Sequence, residues 1–426
     1  MTSYVALKFF VVLPIVFLTA CISPPATINE TERLATRAER VEIIRDDFGI
    51  PHIYGKTDAD AVFGLLYAQA EDDFKRVEHN YIRAIGRLAE VEGEKALYSD
   101  LRARLFMTIK QAKLAYQNSP TSLKALCDAF ADGLNYYLAT HTDVKPALLT
   151  HFEPWMPMFF SEGSIGGDIE QISEQGVKAF YEGEANYLDT TDLAMAEPSG
   201  SNGFAISGKL TRSGDAMLLI NPHTSFYFRP EVHMVSEEGL NAYGAVTWGQ
   251  FFVYQGFNQK NGWMHTSTGV DFMDEYLETI IERGEELYYL YADEELQVDT
   301  SPVVLKYRDG DTFISKTFAT FRTHHGPVTH MVNGQWVTTR INWDPVNALQ
   351  QSFIRTKTAN HSEFRTMMDM RTNSSNNTVY ADSNGDIAYY HGNFIPKRDP
   401  SFDYSQPVNG SLKNTDWDGL HTVDET

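Results

Sequence analysis

The chain has 426 residues, with 57 Asp and Glu against 35 Lys and Arg and a formal net charge of −22. So acidic a composition argues against nucleic acid as a partner and favours solubility. The length permits a core stabilised by burial alone. With only two cysteines, Cys21 and Cys127, a disulfide framework is excluded.

The first twenty residues carry a single charge, Lys8, within an apolar stretch from Val5 to Thr19 interrupted by Pro14. A short apolar segment ending in small residues reads as a secretory signal, 1–20, rather than a spanning helix. Leu18-Thr19-Ala20-Cys21 resembles a bacterial lipobox, which implies cleavage before Cys21 and its lipidation. Ile22, rather than Asp, at the next position points to the periplasm and an outer-membrane anchor in a Gram-negative cell. A plain signal peptide with an incidental cysteine is the alternative. Residues 21–38 then form a polar, lipidated tether. Loss of Lys8 with the signal makes the charge −22 − 1 = −23. Cys127 lies in an apolar-periodic helix and suits a small core position.

Residues 39–180 read as a mainly helical region. Val41 to Ile53 gives two short strands around Gly49-Ile50-Pro51, and Thr57 or Asp58 caps a helix starting near Ala59. Phe74, Val77, Tyr81, Ile85 and Leu88 recur at three- and four-residue steps, which makes one apolar helix face. A second helix spans about Ser122 to Ala139. Residues 181–200 lack periodicity, and Glu197-Pro198-Ser199-Gly200 suits a flexible spacer. Residues 201–426 are strand-rich. Phe204–Ser207 and Ala216–Ile220 flank a Ser213-Gly214-Asp215 turn, and Ser301–Tyr307, Phe313–Phe321 and Gly334–Asn342 follow.

Ser201, in Gly200-Ser201-Asn202-Gly203-Phe204, carries the most chemical information. A serine that becomes a chain N-terminus can use its own α-amine as general base, because that amine has a pKa of about 7.7–8.0. A nucleophile elbow is excluded: Gly-x-Ser-x-Gly before a helix is required, and Ser199 stands two before Ser201.

Ser201-Asn202, followed 22 residues later by His223 in Asn221-Pro222-His223, resembles the penicillin acylase family of N-terminal nucleophile hydrolases. The His is similar to the acyl-homoserine-lactone, cephalosporin and aculeacin acylase branch. Further matches are Arg45-Asp46 with Gly49-Ile50-Pro51-His52-Ile53, Phe152-Glu153-Pro154-Trp155, and Trp263-Met264-His265-Thr266. The Asn377…Ala381-Asp382…Gly385-Asp386-Ile387 run also matches. The resemblance covers about Val41 to the end. It implies an α+β fold, an αββα sandwich of two antiparallel sheets with flanking helices. It also implies autoproteolysis at Gly200–Ser201, followed by association of the two resulting chains. Family members continue for hundreds of residues beyond a segment like Trp417–Glu425, so the sequence is expected to be C-terminally truncated.

Acyl transfer needs donors where charge develops on the carbonyl oxygen. The resemblance assigns these to the backbone N–H of Ser267 and the side chain of Asn377, with Asn373 and Asn376 as alternatives in register. It makes His223 a positioner of the Ser201 terminus. It makes Arg398, or its neighbour Lys397, the residue that orients the oxyanion Asn and the substrate's polar end. Some relatives hold Ca²⁺ with acids near Asp271 and Asp274, which suits hard oxygen ligands, although two acids three apart also suit a solvated loop. No cofactor is expected for the chemistry, and no zinc motif is present. Phe251, Phe252 and Phe257 would line an acyl pocket or simply pack in the core. The expected activity is hydrolysis of a small N-acyl amide, such as an acyl-homoserine lactone or a β-lactam side chain. The alternative is a catalytically inert fragment or non-catalytic lipoprotein that retains the motifs.

Overall fold

A computed structural model describes residues 29–159, 169–183, 200–224, 227, 229–372, 376–392 and 394–426. The signal, the lipobox with Cys21 and nearly all of the spacer lie outside these residues. Among the described residues no helix is long and apolar enough to cross a membrane.

The helices are α1 (Glu30–Ala38), α2 (Asp58–Ala84), α3 (Ala89–Glu92), α4 (Leu97–Phe106), α5 (Ile109–Asn118), α6 (Thr121–Thr140), α7 (Glu174–Glu182), α8 (Pro345–Arg355) and α9 (His361–Met368). The strands begin with β1 (Val41–Arg45), β2 (Pro51–Gly55), β3 (Ser201–Ile206), β4 (Met217–Pro222), β5 (Glu231–Ser236), β6 (Asn241–Ala245), β7 (Gln255–Asn258) and β8 (Asn261–Ser267). They continue with β9 (Asp274–Glu278), β10 (Ile280–Arg283), β11 (Glu286–Tyr291), β12 (Glu294–Gln297), β13 (Asp299–Asp309), β14 (Thr312–Arg322), β15 (Val328–Val332), β16 (Gln335–Arg340), β17 (Asn376–Asp382), β18 (Ile387–Tyr390) and β19 (Val408–Asn409).

Eight strands form one sheet in the order β1-β2-β5-β6-β7-β8-β17-β18. Two pairings depart from the antiparallel expectation: β19 runs parallel to β9 in a four-stranded sheet, and in the eight-stranded sheet β2 runs parallel to β5, with His52 opposite His233. The long crossover through the helical region permits this, since a parallel pair cannot be closed by a tight turn. The pairing also binds the segment before Ser201 into the same sheet as the segment after it. A cut at Gly200–Ser201 would therefore leave the two pieces hydrogen-bonded.

Alternation along each strand sends Ile53, Met234, Ala242, Trp263 and Tyr380 to one face, where all five are buried. Helices cover that face. Gly64 of α2 sits so close to Val41 and Ile53 that a Cβ there would collide with both. The ring of Phe364, in α9, packs 4.5 Å from that of Tyr380. Thr57 caps α2 through Asp60 N–H, and Phe74, Val77, Tyr81, Ile85 and Leu88 are all buried, as the periodicity requires. Cys127 is buried in α6, and that burial pushes its thiol pKa upward.

The opposite face carries the β3–β4 hairpin over β8 and β17. A Cβ on Gly203 would strike the Met264 side chain, and one on Gly262 would meet Leu218. Mixed helix and sheet is therefore observed, with a two-stranded layer over the large sheet among the described residues.

The tether expected to reach Ala38 ends earlier. Residues 30–38 are a helix, begun by an Asn29 cap and docked through buried Leu34. Arg33 holds Asp132 in a two-pronged pair, and Arg37 reaches the same carboxylate at 2.7 Å. These two arginines anchor the helix to Asp132 of α6.

Candidate active site

Ser201 opens β3 with Pro222 as its cross-strand partner. Gly200 before it has φ +100°, a region glycine enters without strain. The Ser201 hydroxyl donates to the Gly200 carbonyl at 2.7 Å and accepts the backbone N–H of His223 at 3.2 Å. The same hydroxyl therefore lies against the peptide bond that precedes it.

In the β8–β17 ladder Thr266 is opposite Asn377, and both share the hairpin face with Met264 and Val379. Thr266 Oγ1 accepts the Ser201 N–H at 2.8 Å and donates to the Ser201 carbonyl at 2.9 Å. Ser267 Oγ accepts the Gly200 N–H at 3.1 Å. Asn377 Nδ2 donates to the Ser267 carbonyl at 3.1 Å, while its Oδ1 accepts the Gly392 N–H at 3.0 Å. Ser201, Thr266, Ser267 and Asn377 thus form one connected network at the end of two adjacent strands.

His223 enters this network through its backbone. Its ring nitrogen Nε2 lies 3.2 Å from Asn202 Nδ2 and 3.1 Å from Asn221 Oδ1, turned away from the serine. No ionisable side chain among the described residues hydrogen-bonds to Ser201 Oγ.

Arg398 stands apart from Asn377. Its Nε donates to Asp274 Oδ2 at 2.7 Å, and its Nη2 donates to the Asp271 carbonyl at 2.9 Å. The Trp417 indole donates to the same Asp274 oxygen. Asp271 and Asp274, read from the sequence either as Ca²⁺ ligands or as a solvated loop, share a guanidinium that already supplies their countercharge. Burial pushes the Asp271 pKa upward, and Arg398 opposes that shift.

The three phenylalanines do not line one cavity. Phe251 and Phe252 are fully buried and pack edge-to-face in the core at 5.5 Å. Phe257 is half-exposed on the hairpin face against Tyr243. With Leu218, Ile220 and Ala381 it borders a cleft of ≈ 340 Å³. Core packing, the competing expectation, describes the first two.

The profile of the penicillin amidase family matches residues 40–426. The chain belongs to the penicillin amidase family. The acyl-homoserine lactone acylase QuiP of Pseudomonas aeruginosa is 26% identical over 352 residues, which is 70% of this chain and 41% of QuiP. The acyl-homoserine lactone acylase PvdQ of Pseudomonas fluorescens is 25% identical over 257 residues, 53% of this chain and 32% of PvdQ. Among solved structures, a thermostable penicillin G acylase from Alcaligenes faecalis aligns with TM-score 0.45 and 23% identity over 53% of this chain and 41% of that one. The chain thus spans less than half the length of these relatives.

Within this penicillin amidase family chain, Thr266 is the site residue that sequence reasoning missed. It stands beside His265 in the Trp263-Met264-His265-Thr266 segment. Its contact with Ser201 depends on strand register, which the motif does not state.

Proposed function

We propose that the chain carries the nucleophile of an amidohydrolase that first cuts its own Gly200–Ser201 bond. The observation that supports this best is the Ser201 hydroxyl held against the Gly200 carbonyl at 2.7 Å, with no ionisable partner among the described residues. Oγ attacks the Gly200 carbonyl carbon, the C–N bond breaks, and Gly200 becomes the acyl half of an ester on Oγ. The hydroxyl proton ends on the freed Ser201 nitrogen. Water hydrolyses the ester and leaves a Gly200 carboxylate and an N-terminal serine.

In turnover the Ser201 amine takes the Oγ proton as Oγ attacks a substrate amide, then passes it to the leaving amine. Ser267 N–H and Asn377 Nδ2 hold the oxyanion. Asn377 Nδ2 donates one of its two hydrogens to the Ser267 carbonyl and gives the other to the oxyanion. Water activated by the same amine then releases the acid. The names of the relatives favour an N-acyl-homoserine lactone as substrate, and the lipobox-like Leu18-Thr19-Ala20-Cys21 favours attachment to the periplasmic face of the outer membrane through Cys21.

Intact-mass analysis and N-terminal sequencing of the full chain test this reading. A new terminus reading Ser-Asn-Gly-Phe, lost in Ser201→Ala, supports it, together with acid release from an acyl-homoserine lactone in preference to penicillin G. A folded but permanently uncut chain would favour the inert lipoprotein instead.

A further inference from the structure

The loop between β14 and β15 places two adjacent histidines, His324 and His325, beside Asp416 from the C-terminal segment. One ligand atom from each lies within 4.8 Å of the others. His324 Nε2 is 3.5 Å and His325 Nε2 3.1 Å from Asp416 Oδ1. Four-coordinate zinc with bonds of about 2.0–2.1 Å needs ligand atoms about 3.3 Å apart, so both separations suit it.

The outer contacts are those of imidazoles that ligate through Nε2. His325 Nδ1 lies 2.8 Å from Glu278 Oε1, and His324 Nδ1 lies 3.0 Å from the Tyr289 hydroxyl. A histidine that gives Nε2 to a metal ordinarily donates Nδ1–H to such an oxygen, which fixes tautomer and ring orientation. Glu278 is itself held by the hydroxyls of Thr323 and Thr338, each at 2.7 Å. Tyr276 stacks on the His325 ring at 3.9 Å, nearly parallel. The position of Asp416 is set by the Tyr291 hydroxyl and by Arg340 Nη1 at 3.6 Å. His325 is fully buried while His324 is partly open, so an ion has both a rigid seat and an entry side.

We propose that His324, His325 and Asp416 form a binding site for one zinc-class divalent cation, completed by water on the His324 side. Two imidazoles and one carboxylate are borderline ligands, which favour such an ion over Ca²⁺ or Mg²⁺. The ion would pin the 413–420 segment to the sheet of β15, β16, β9 and β19. Trp417, next to Asp416, shares Asp274 with Arg398, so the same segment also packs against that ion pair.

The test is isothermal titration of zinc sulfate into the purified full chain, stripped by chelation and shown by circular dichroism to be folded. Cobalt absorption serves as a second readout. One zinc per chain is expected, with a visible cobalt spectrum. His324→Gln and Asp416→Asn should abolish both. Tyr289→Phe, which removes the hydroxyl that meets both His324 Nδ1 and the His324 backbone N–H, should weaken binding by about 10–100-fold. His52→Gln, at the separate His52–His233 pair, should leave binding unchanged. The proposal is overturned if the folded chain binds no zinc, if His324→Gln binds as the parent does, or if binding is lost with His52→Gln instead.

Discussion

Thr266 satisfies both backbone groups of Ser201 with a single hydroxyl, accepting from the N–H at 2.8 Å and donating to the carbonyl at 2.9 Å. This fixes the height of β3 above β8 and hence where the nucleophile sits. Thr266→Val keeps the shape and removes both bonds. An unmet buried polar group costs about 1–3 kcal/mol, and less here because Ser201 is only partly buried. Thr266→Val should therefore fold but cleave Gly200–Ser201 more slowly, whereas Thr266→Ser should cleave normally. Gel analysis of precursor decay measures this; equal rates for Thr266→Val and the parent would remove Thr266 from the mechanism.

Ser267 and Asn377 separate maturation from turnover. Ser267 Oγ binds the Gly200 N–H, on the side of the scissile bond that the cut separates from Ser201. Ser267→Ala should slow cleavage yet leave kcat of the mature protein unchanged, because only its backbone serves the oxyanion. Asn377→Ala should lower kcat by roughly 10²–10³, the loss typical of one oxyanion donor, with little change in KM. If Ser267→Ala lowers the mature kcat as much as Asn377→Ala does, the assignment of donors is wrong.

Local signals made much of the fold legible. The Thr57 cap, the apolar face of α2 and the turn of the β3–β4 hairpin are all encoded within a few residues. The helix caps at Asp344-Pro345 and at Asn360 with Glu363 are equally local, yet the reading of 201–426 as strand-rich passes over α8 and α9. Contacts at long range were not legible. The Arg33–Asp132 pair that turns a tether into a docked helix spans 99 residues. Ser201–Thr266 spans 65, and His325–Asp416 spans 91. A single sequence carries no register for such distances. Resemblance supplied the order of the motifs around Ser201, but not which atom of His223 faces the serine.

Stability should fall on the acid side because of His265. Burial pushes its pKa well below the usual value, and the nearby Arg355 and Arg229 add to that shift. The unfolded chain takes up a proton near its ordinary pKa of about 6.5, while the folded chain does not. Below that pH the unfolded state binds more protons, so this contribution is present above about 6.5 and is lost as pH falls. Its slope cannot exceed about 1.36 kcal/mol per pH unit for one group. Denaturant melts of the parent and His265→Gln between neutral and acid pH check this. The variant should show the shallower loss, and parallel curves would contradict it.

The outer face of the hairpin predicts how the chain behaves in solution. Register pairs Phe204 with Leu219 and Ile206 with Met217, on the side away from β8. Phe204 is 55% exposed, Met217 59% and Leu219 39%. Three large apolar side chains side by side on a two-stranded layer form a contiguous sticky surface, and such patches drive association. The acidic net charge of −22 opposes contact at long range, but salt screens it within about 10 Å at 0.1 M. Self-association should therefore rise with ionic strength. Phe204→Ser combined with Met217→Ser should reduce it without disturbing the core, since neither side chain is buried. Sedimentation velocity at low and high salt measures both effects. A parent chain that sediments as the variant does under all conditions would show that this face is not adhesive.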